Sequence, residues 1–165
     1  MKKIFLLGIT AIIVLLSQTD LQAQQTYKNA FGGRLGTANG ITFKTFTKGD
    51  RAWDFILNFQ SRNFDNDSKG NRNRFRFTAL YEIHNKINNA PGLRWYYGGG
   101  GTIGSSKYEN EDGDLLASLD GVLGLDYKFD GAPINVALDW KPALEIVPYT
   151  EFDVEGFGLS IRFTF

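Results

Sequence analysis

The C-terminal segment of the chain alternates apolar and polar residues with a period of two. One face carries Phe157, Leu159, Ile161, Phe163 and Phe165, and the other carries Gly158, Ser160, Arg162 and Thr164. Successive side chains of a β-strand point to opposite sides of the sheet. The pattern therefore predicts a strand with one apolar and one polar face.

The same alternation recurs in seven segments upstream. Together with the C-terminal segment they occupy residues 31–35, 41–45, 53–62, 74–84, 93–103, 118–129, 134–141 and 157–165. The stretches between them are rich in Gly, Asn, Asp and Pro, which is typical of turns. We expect eight antiparallel strands and no helix in this part of the chain, closing into an up-and-down β-barrel.

The first 23 residues have a different pattern. Lys2 and Lys3 precede an apolar run over residues 4–16, and a short polar stretch then leads to Ala23. This layout predicts a secretory signal peptide that is cleaved after Ala23. The alternative, a membrane anchor, needs about 20 apolar residues, and the run is shorter than that. We expect residues 1–23 to be removed and residues 24–165 to form one barrel domain.

Composition narrows the class of protein. The sequence contains 14 Phe, 7 Tyr, 3 Trp and 19 Gly beside 22% charged residues, and it has no Cys. A formal net charge of zero argues against a nucleic-acid partner. The lack of Cys excludes disulfides and thiolate metal sites. An exported chain with this composition and no apolar helical span is typical of a transmembrane β-barrel.

The two faces of the predicted strands favour a membrane barrel over a soluble one. The apolar faces carry no charged residue, which suits contact with lipid, because Arg or Lys at the middle of a bilayer costs about 2–4 kcal/mol. The polar faces carry charges of both signs, and an eight-stranded barrel is just wide enough inside for side chains. We expect these charges to pair and plug the lumen. The predicted network is Arg34, Lys44, Asp54, Arg62, Arg74, Arg76, Glu82, Arg94, Asp120, Asp126, Lys128, Asp139, Lys141 and Arg162.

The connections differ between the two ends of the predicted barrel. Those expected outside the cell include three long polar ones, Asn63–Asn73, Ser105–Asp114 and Val147–Glu155. Those expected in the periplasm include two short ones, Lys48–Arg51 and Asp130–Pro133. Short periplasmic turns and longer external loops are a rule of outer-membrane barrels. Thr37–Gly40 is short for an external loop, and Asn85–Gly92 is long for a periplasmic turn.

In these features the chain resembles the small OmpA/OmpX-type outer-membrane barrels of Gram-negative bacteria over residues 24–165. The most specific element is the C-terminal strand ending in Phe165, which is similar to the signal that the barrel-assembly machinery recognises in that family. Residues 95–100 (WYYGGG) and 139–142 (DWKP) also resemble segments of such barrels. The resemblance implies the cell outer membrane as location, with lipid and the assembly machinery as partners. The expected lipid-facing and assembly positions are Phe157, Leu159, Ile161, Phe163 and Phe165. We expect a monomer.

Three motifs suggest chemistry but lack its context. Residues 99–104 match G-x-G-x-x-G, yet a dinucleotide site needs a helix after its strand. We expect inward glycines to make room for long Arg and Tyr side chains instead. Residues 65–70 begin like a calcium loop, but Lys69 and Arg76 stand where oxygen ligands belong. The acidic stretch 109–114 offers only a loose site for a divalent cation, and a solvated loop is the simpler interpretation.

Two single residues, His84 and Pro142, also carry structural information. His84 is the only histidine, and we place it inside the barrel near Glu82 or Arg94 rather than in a deacylase-type site. No enzymatic activity and no cofactor are therefore expected. Pro142 lacks a backbone donor, which predicts a bulge or the upper end of strand seven.

Three functional classes stay open. The preferred one is an outer-membrane barrel with a structural or surface-interaction role. The second is a narrow channel. The third is a soluble lipocalin-like periplasmic binding protein, which requires an apolar lumen and charges that face water.

Overall fold

The computed structural model describes residues 27–62, 72–108, 114–148, 150–154 and 156–165. The predicted signal peptide, the calcium-like segment 65–70 and most of the acidic stretch 109–114 lie outside these ranges. The predicted lumen position of the Arg62 side chain lies outside the described part as well.

Strands account for nearly all of the described chain. They are β1 (Asn29–Gly36), β2 (Asn39–Phe46), β3 (Arg51–Arg62), β4 (Arg72–Lys86), β5 (Leu93–Tyr108), β6 (Asp114–Lys128), β7 (Ile134–Trp140), β8 (Ala143–Val147), β9 (Glu151–Asp153) and β10 (Phe157–Thr164). The described ranges contain no helix that is long and apolar enough to cross a membrane.

The strands close into a ring. β1 to β6 pair in sequence order, β6 pairs with β7, β7 with β10, and β10 with β1. β8 continues β7 along β6, and β9 pairs with β8. The segments β7 and β8 thus form the seventh barrel strand, and β9 and β10 form the eighth. The predicted all-β, up-and-down barrel of eight antiparallel strands is confirmed.

Pro142 lies inside the seventh barrel strand, between β7 and β8. Gly121 N donates to Pro142 O over 2.9 Å, and the pairing with β6 keeps one register from Trp140 to Glu145. Pro142 cannot return a hydrogen bond to Gly121, so the ladder lacks one bond here. The sheet tolerates the missing hydrogen bond because the flanking residue pairs keep the register.

The eighth barrel strand contains a bulge beside Pro142. Lys141 N donates to Gly156 O over 2.6 Å, whereas Ala143 lies opposite Asp153, so the register changes by one residue. The eighth strand therefore carries one extra residue between β9 and β10.

The two ends of the barrel are built differently. We name the end that holds residues 27 and 165 the terminal end, and the opposite one the loop end. The terminal end has the connections 47–50, 87–92 and 129–133, which contain Gly49, Gly92 and Gly131 at φ of 63°, 81° and 70°. Because glycine adopts positive φ without strain, these three turns are compact.

At the loop end, the connection between β1 and β2 is only residues 37–38. The prediction of a long loop over Val147–Glu155 was wrong. β8 runs to Val147 and β9 occupies Glu151–Asp153, because both segments continue the ladders of the seventh and eighth barrel strands. β4, β5 and β6 have 15, 16 and 15 residues, but β1 and β2 have 8 each, so one side of the wall is taller than the other.

Polar side chains lie inside the barrel and apolar side chains lie outside. Buried charged residues include Lys44 and Arg162 at 0% and 1% exposure, while Leu123 and Phe163 on the outer face are 50% and 57% exposed. The outward aromatic residues also contact one another, as in the stacked rings of Trp95 and Tyr97 at 5.5 Å. This sorting is the reverse of that in a water-soluble core.

Substitutions of two adjacent glycines in β1 test how closely β10 packs against β1. A Cβ at Gly32 would lie 1.9 Å from Ile161 O of β10, whereas a Cβ at Gly33 would meet nothing within 4 Å. Gly32→Ala is expected to destabilise the barrel by about 1–3 kcal/mol through overpacking at the β1–β10 seam, and Gly33→Ala to change stability little. Urea unfolding of both variants, followed by the gel mobility of the folded form, measures the difference. Equal midpoints would contradict the described approach of β10 to β1.

Candidate functional site

A cluster of five charged side chains, which we call the central cluster, fills the lumen within four residues of the terminal ends of β2, β3, β4, β6 and β10. Arg162 Nη2 of β10 lies 2.6 Å from Asp54 Oδ2 of β3. Lys44 Nζ of β2 lies 2.7 Å from Glu82 Oε2, 3.6 Å from Asp54 Oδ2 and 3.8 Å from Asp126 Oδ2. All five are at most 2% exposed. Since a buried charge is very costly without a partner, the mutual pairing is what permits this burial.

Neutral polar groups complete the coordination of Arg162. Its Nε donates to Thr42 Oγ1 over 3.1 Å, and its Nη1 donates to Asn135 Oδ1 over 3.4 Å. Thr42 in turn donates to Asp54, and Asn135 Nδ2 donates to Asp126 over 2.9 Å. Thr42 and Asn135 thereby connect the charged groups of β3, β6 and β10.

A second ion pair lies closer to the loop end. Arg34 of β1 makes a bidentate contact with Asp139 of β7, with N–O distances of 2.6 and 2.5 Å. Tyr96 donates its hydroxyl proton to Asp139 over 3.1 Å, and Arg34 donates to Ser160 over 3.3 Å. Bidentate pairs of this kind are the strong and directional ones among ion pairs.

Two inward glycines provide the space for these long side chains. A Cβ on Gly158 would lie 2.2 Å from the Arg34 guanidinium carbon, and a Cβ on Gly124 would lie 2.5 Å from the Tyr96 ring. The prediction concerned the glycines of residues 99–104, and Gly158 and Gly124 lie outside that motif. At Gly98 and Gly100 the nearest atoms are backbone oxygens of β4 instead, at 2.1 and 1.9 Å.

A chain of hydroxyl groups leads from the ion pairs towards the loop end. Thr78 and Thr102 are joined by a hydrogen bond of 2.6 Å, and Thr102 and Ser118 both donate to Asp120. Lys141 Nζ lies 3.3 Å from the same carboxylate. Asp120 is thereby surrounded by donors from three strands.

The terminal end is closed by a small apolar cluster of Tyr27, Ala30, Phe46 and Ala52. The Tyr27 and Phe46 rings are in edge contact at 5.4 Å, and Phe46 lies 4.9 Å from the His84 ring. Burial raises the pKa of the Tyr27 phenol, so this ring stays neutral. The lumen is therefore blocked at this end by side chains of strands and of the segment before β1.

The loop end, in contrast, opens into a cavity of about 510 Å³ that we call the vestibule. Its lining includes Arg74 and Arg76 on β4 and Glu145 and Glu151 on β8 and β9. Arg76 Nη2 lies 2.9 Å from Glu145 Oε1, and this ion pair connects β4 with β8 across the cavity. The remaining lining residues are Arg34, Thr37, Ala38, Asn58, Gln60, Thr78, Lys141, Ala143, Phe152, Asp153, Val154 and Gly156.

The predicted charge network divides into groups with different positions. Buried in the interior are Arg34, Lys44, Asp54, Glu82, Arg94, Asp120, Asp126, Asp139 and Arg162. Half-buried nearer the ends are Arg74, Arg76, Lys128 and Lys141. Near the terminal end Arg94 pairs with Asp50 at 3.0 Å, while Lys128 donates to two backbone carbonyls. His84 Nε2 lies 3.0 Å from Glu82 Oε2, one of the two partners expected for it.

The predicted network left out the neutral partners. Missing from it were Thr42, Thr78, Tyr96, Thr102, Ser118, Asn135 and Ser160, all of which are buried and bonded to charged groups or to each other. They occupy the same strand face as the charges, so the period-two pattern does locate them. It does not show which of them reach a carboxylate or guanidinium.

Chemically the interior consists of ion pairs and hydrogen-bonded polar groups, and its cluster of five charges holds three carboxylates and two cations. Within the described ranges no group of three or more His, Asp or Glu side chains is placed to hold a metal ion. Among the described residues, the exposed charged side chains lie at the two ends of the barrel.

Comparisons of this chain with protein-family models, with curated proteins and with solved structures find no match.

The central pair should dominate the stability of the barrel. Arg162→Met leaves Asp54 buried without its main cation and is expected to cost about 3–5 kcal/mol. Arg76→Met, in the half-buried vestibule pair, should cost less than about 1 kcal/mol. Urea unfolding of the folded protein in lipid vesicles measures both variants.

The double variant Asp54→Asn with Arg162→Met serves as the internal control, because it removes one negative charge together with the cation. It is expected to recover part of the loss caused by Arg162→Met alone. If the loss in the double variant equals the sum of the losses in Arg162→Met and Asp54→Asn, each measured alone, the two side chains do not act as a pair.

Proposed function

We propose that residues 24–165 form an outer-membrane β-barrel whose lumen is plugged by paired side chains and whose role is structural or surface-interacting. The observation that carries this proposal is the reversed sorting of side chains: paired charges inside and a continuous apolar surface outside. The Arg34–Asp139 pair and the Arg162–Asp54 pair are examples of the first. Exposed Leu125, Leu138 and Phe163 are examples of the second.

The outer surface favours lipid over water. Soluble monomers rarely expose an apolar patch larger than a few hundred Å². Here large apolar side chains are exposed on all eight barrel strands, as shown by Leu35, Ile41, Phe59, Phe77, Tyr97, Leu123, Leu138 and Phe163. Closure also pairs the backbone groups between strands, which a hydrocarbon environment requires.

The same sorting speaks against a lipocalin-like binder, which needs an apolar cavity. The buried apolar side chains form two packed clusters: the one at the terminal end described above, and one of Ile56, Leu80, Tyr96, Val122 and Ala137. The cavity of the described part is instead the vestibule, which is lined mainly by charged and polar side chains.

Surface interaction is the preferred role because the wall rises highest at the loop end. β4 to β6 have 15 to 16 residues, which corresponds to a height of about 38 Å at a strand tilt of about 40°. An outer-membrane apolar band is about 25 Å tall. About 13 Å of wall therefore remains beyond the band, where exposed polar residues such as Asn73, Ser105 and Asp114 lie beside the apolar Leu115.

Leu123 tests the lipid-facing surface. It lies five residues before the end of β6, about 13 Å above the terminal end, which is the middle of a band about 25 Å tall. Leu123→Arg is expected to cost about 2–4 kcal/mol of membrane stability and to reduce assembly. The measurement is outer-membrane fractionation followed by gel electrophoresis with and without boiling.

Two matched variants control this experiment. Leu123→Phe keeps the position apolar, and Ser105→Arg places the same charge on an exposed outward position near the loop end of β5. Both are expected to assemble and to shift on heating like the wild type. Soluble wild-type protein without a heat shift would exclude the membrane proposal and turn attention to a soluble ligand.

The narrow-channel alternative is tested by conductance. Since the central cluster and the terminal-end cluster fill the lumen, we expect no steady ion current from the wild-type protein in a planar bilayer. A large porin recorded in the same bilayer provides the positive control. Reproducible single-channel steps from the wild type would favour the channel over the plugged barrel.

A further inference from the structure

Among the described residues, the barrel wall is lower at the hairpin formed by β1 and β2 than at the strands on either side, and we call this lower part the gap. The ladder between β2 and β3 ends with Asn39 opposite Phe59, and the ladder between β1 and β10 ends with Gly36 opposite Gly158. β3 continues for three residues beyond its last pair with β2, and β9 extends the eighth barrel strand. In the described part of the chain, neither extension has a strand beside it on the side of the hairpin.

The vestibule opens onto this gap. Thr37 and Ala38, the tip of the hairpin, line the cavity together with Gln60 of β3. Gln60 Nε2 donates to Thr37 O over 3.1 Å, and Asn58 Nδ2 donates to Ala38 O over 3.2 Å. The hairpin tip is thus held as a polar lip between the interior and the outer surface.

The hairpin is too short to cross the apolar band of a membrane. Eight residues span about 26 Å along the strand, or about 20 Å of height at a tilt of about 40°, against a band of about 25 Å. If the barrel lies in the outer membrane as proposed above, the lip lies about 5 Å below the headgroup edge of the apolar band.

The outer face around the gap is apolar. Leu35, Phe59, Phe152 and Phe157 are 58%, 60%, 64% and 58% exposed there. Phe152 also lines the vestibule at its edge. A molecule that passes through the gap therefore meets apolar side chains outside and charged side chains inside.

Basic and acidic residues occupy different strands on two walls of the vestibule, and its other cations, Arg34 and Lys141, pair with Asp139 and Asp120. The β4 wall carries Arg74 and Arg76, and the wall of β8 and β9 carries Glu145, Glu151 and Asp153. Glu145 and Glu151 lie directly opposite each other, which is unfavourable for two like charges. Arg76 pairs with Glu145, and Glu151 makes no ion pair within the described residues.

From the gap, the short hairpin and the separated charges, we propose that the vestibule binds the headgroup of a phospholipid that carries both a phosphate and a primary ammonium group. The phosphate lies towards the arginines of β4, and the ammonium donates to Glu151 and offsets its repulsion with Glu145. The acyl chains stay outside, against Phe59, Phe152 and Phe157. This inference rests on the membrane location proposed above.

The experiment uses the folded protein in nonionic detergent and short-chain lipids as probes. Dihexanoyl-phosphatidylethanolamine carries both charges, dihexanoyl-phosphatidylglycerol lacks the ammonium, and O-phosphoethanolamine lacks the acyl chains. Calorimetric titration is expected to show about fivefold tighter binding of the first lipid than of either other probe. Equal affinity for the two lipids would overturn the proposal. Equal affinity for O-phosphoethanolamine would show a site for a soluble zwitterion and would overturn the lipid as occupant.

Variants separate the headgroup from the chains. Glu151→Gln is expected to remove the preference for phosphatidylethanolamine while leaving phosphatidylglycerol binding unchanged. Phe152→Ser should weaken both lipids equally, and Asp130→Asn, an exposed acid in a turn at the terminal end, should change neither. A preference that survives Glu151→Gln overturns the assignment of the ammonium site.

The heat shift on gels identifies which proposal fails. A wild-type protein that shows the shift but does not discriminate between the lipids contradicts only the headgroup site. A wild-type protein without the shift contradicts the membrane barrel, and the headgroup site with it.

Discussion

Closure of the sheet through the β1–β10 ladder is the constraint on which the rest of the structure depends. Seven residue pairs, from Ala30 opposite Thr164 to Gly36 opposite Gly158, join the first and last strands. An eight-stranded ring leaves an interior only as wide as side chains. Inward residues must therefore fill a narrow space and satisfy each other, because little room is left for water. The ion pairs, the glycines that face Arg34 and Tyr96, and the hydroxyl chain at Asp120 all follow from that limit.

The same limit explains why the interior holds both charge signs in contact. Arg162 reaches Asp54, 108 positions away in sequence, and Arg34 reaches Asp139, 105 positions away. The first pair connects β10 with β3, and the second connects β1 with β7. They favour one closed arrangement of the strands, since a slip of one residue in any strand would move its charges to the apolar outer face. The buried ion pairs thus also specify the register of the strands. At the vestibule the interior is no longer densely packed, and charged side chains become accessible.

The strands and their faces were predictable from the sequence because both depend on local alternation. Phe157 to Phe165 and the seven segments before them specify inward and outward positions without any knowledge of the tertiary structure. The partners were not predictable, because which carboxylate meets Arg34 depends on the tilt and stagger of strands far apart in the chain. The ends of strands were also missed: Val147 and Glu151 lie in or next to turn-like residues, yet the ladders extend across them. The unequal height of the wall, and with it the gap above Thr37, became visible only once the registers were known.

The extra residue in the eighth barrel strand exchanges the inward and outward positions between β10 and β9. In β10 the odd-numbered residues, such as Phe157, face outward, whereas in β9 the even-numbered Phe152 does so and Asp153 lines the vestibule. Without the bulge, the inward and outward sets of β9 would be exchanged. Removal of one residue between Asp153 and Gly156 would then direct two carboxylates towards the apolar outer surface and a phenyl ring into the polar cavity, although no side chain had been substituted. One extra backbone residue thus determines whether the carboxylates of β9 face the vestibule or the outer surface of the barrel.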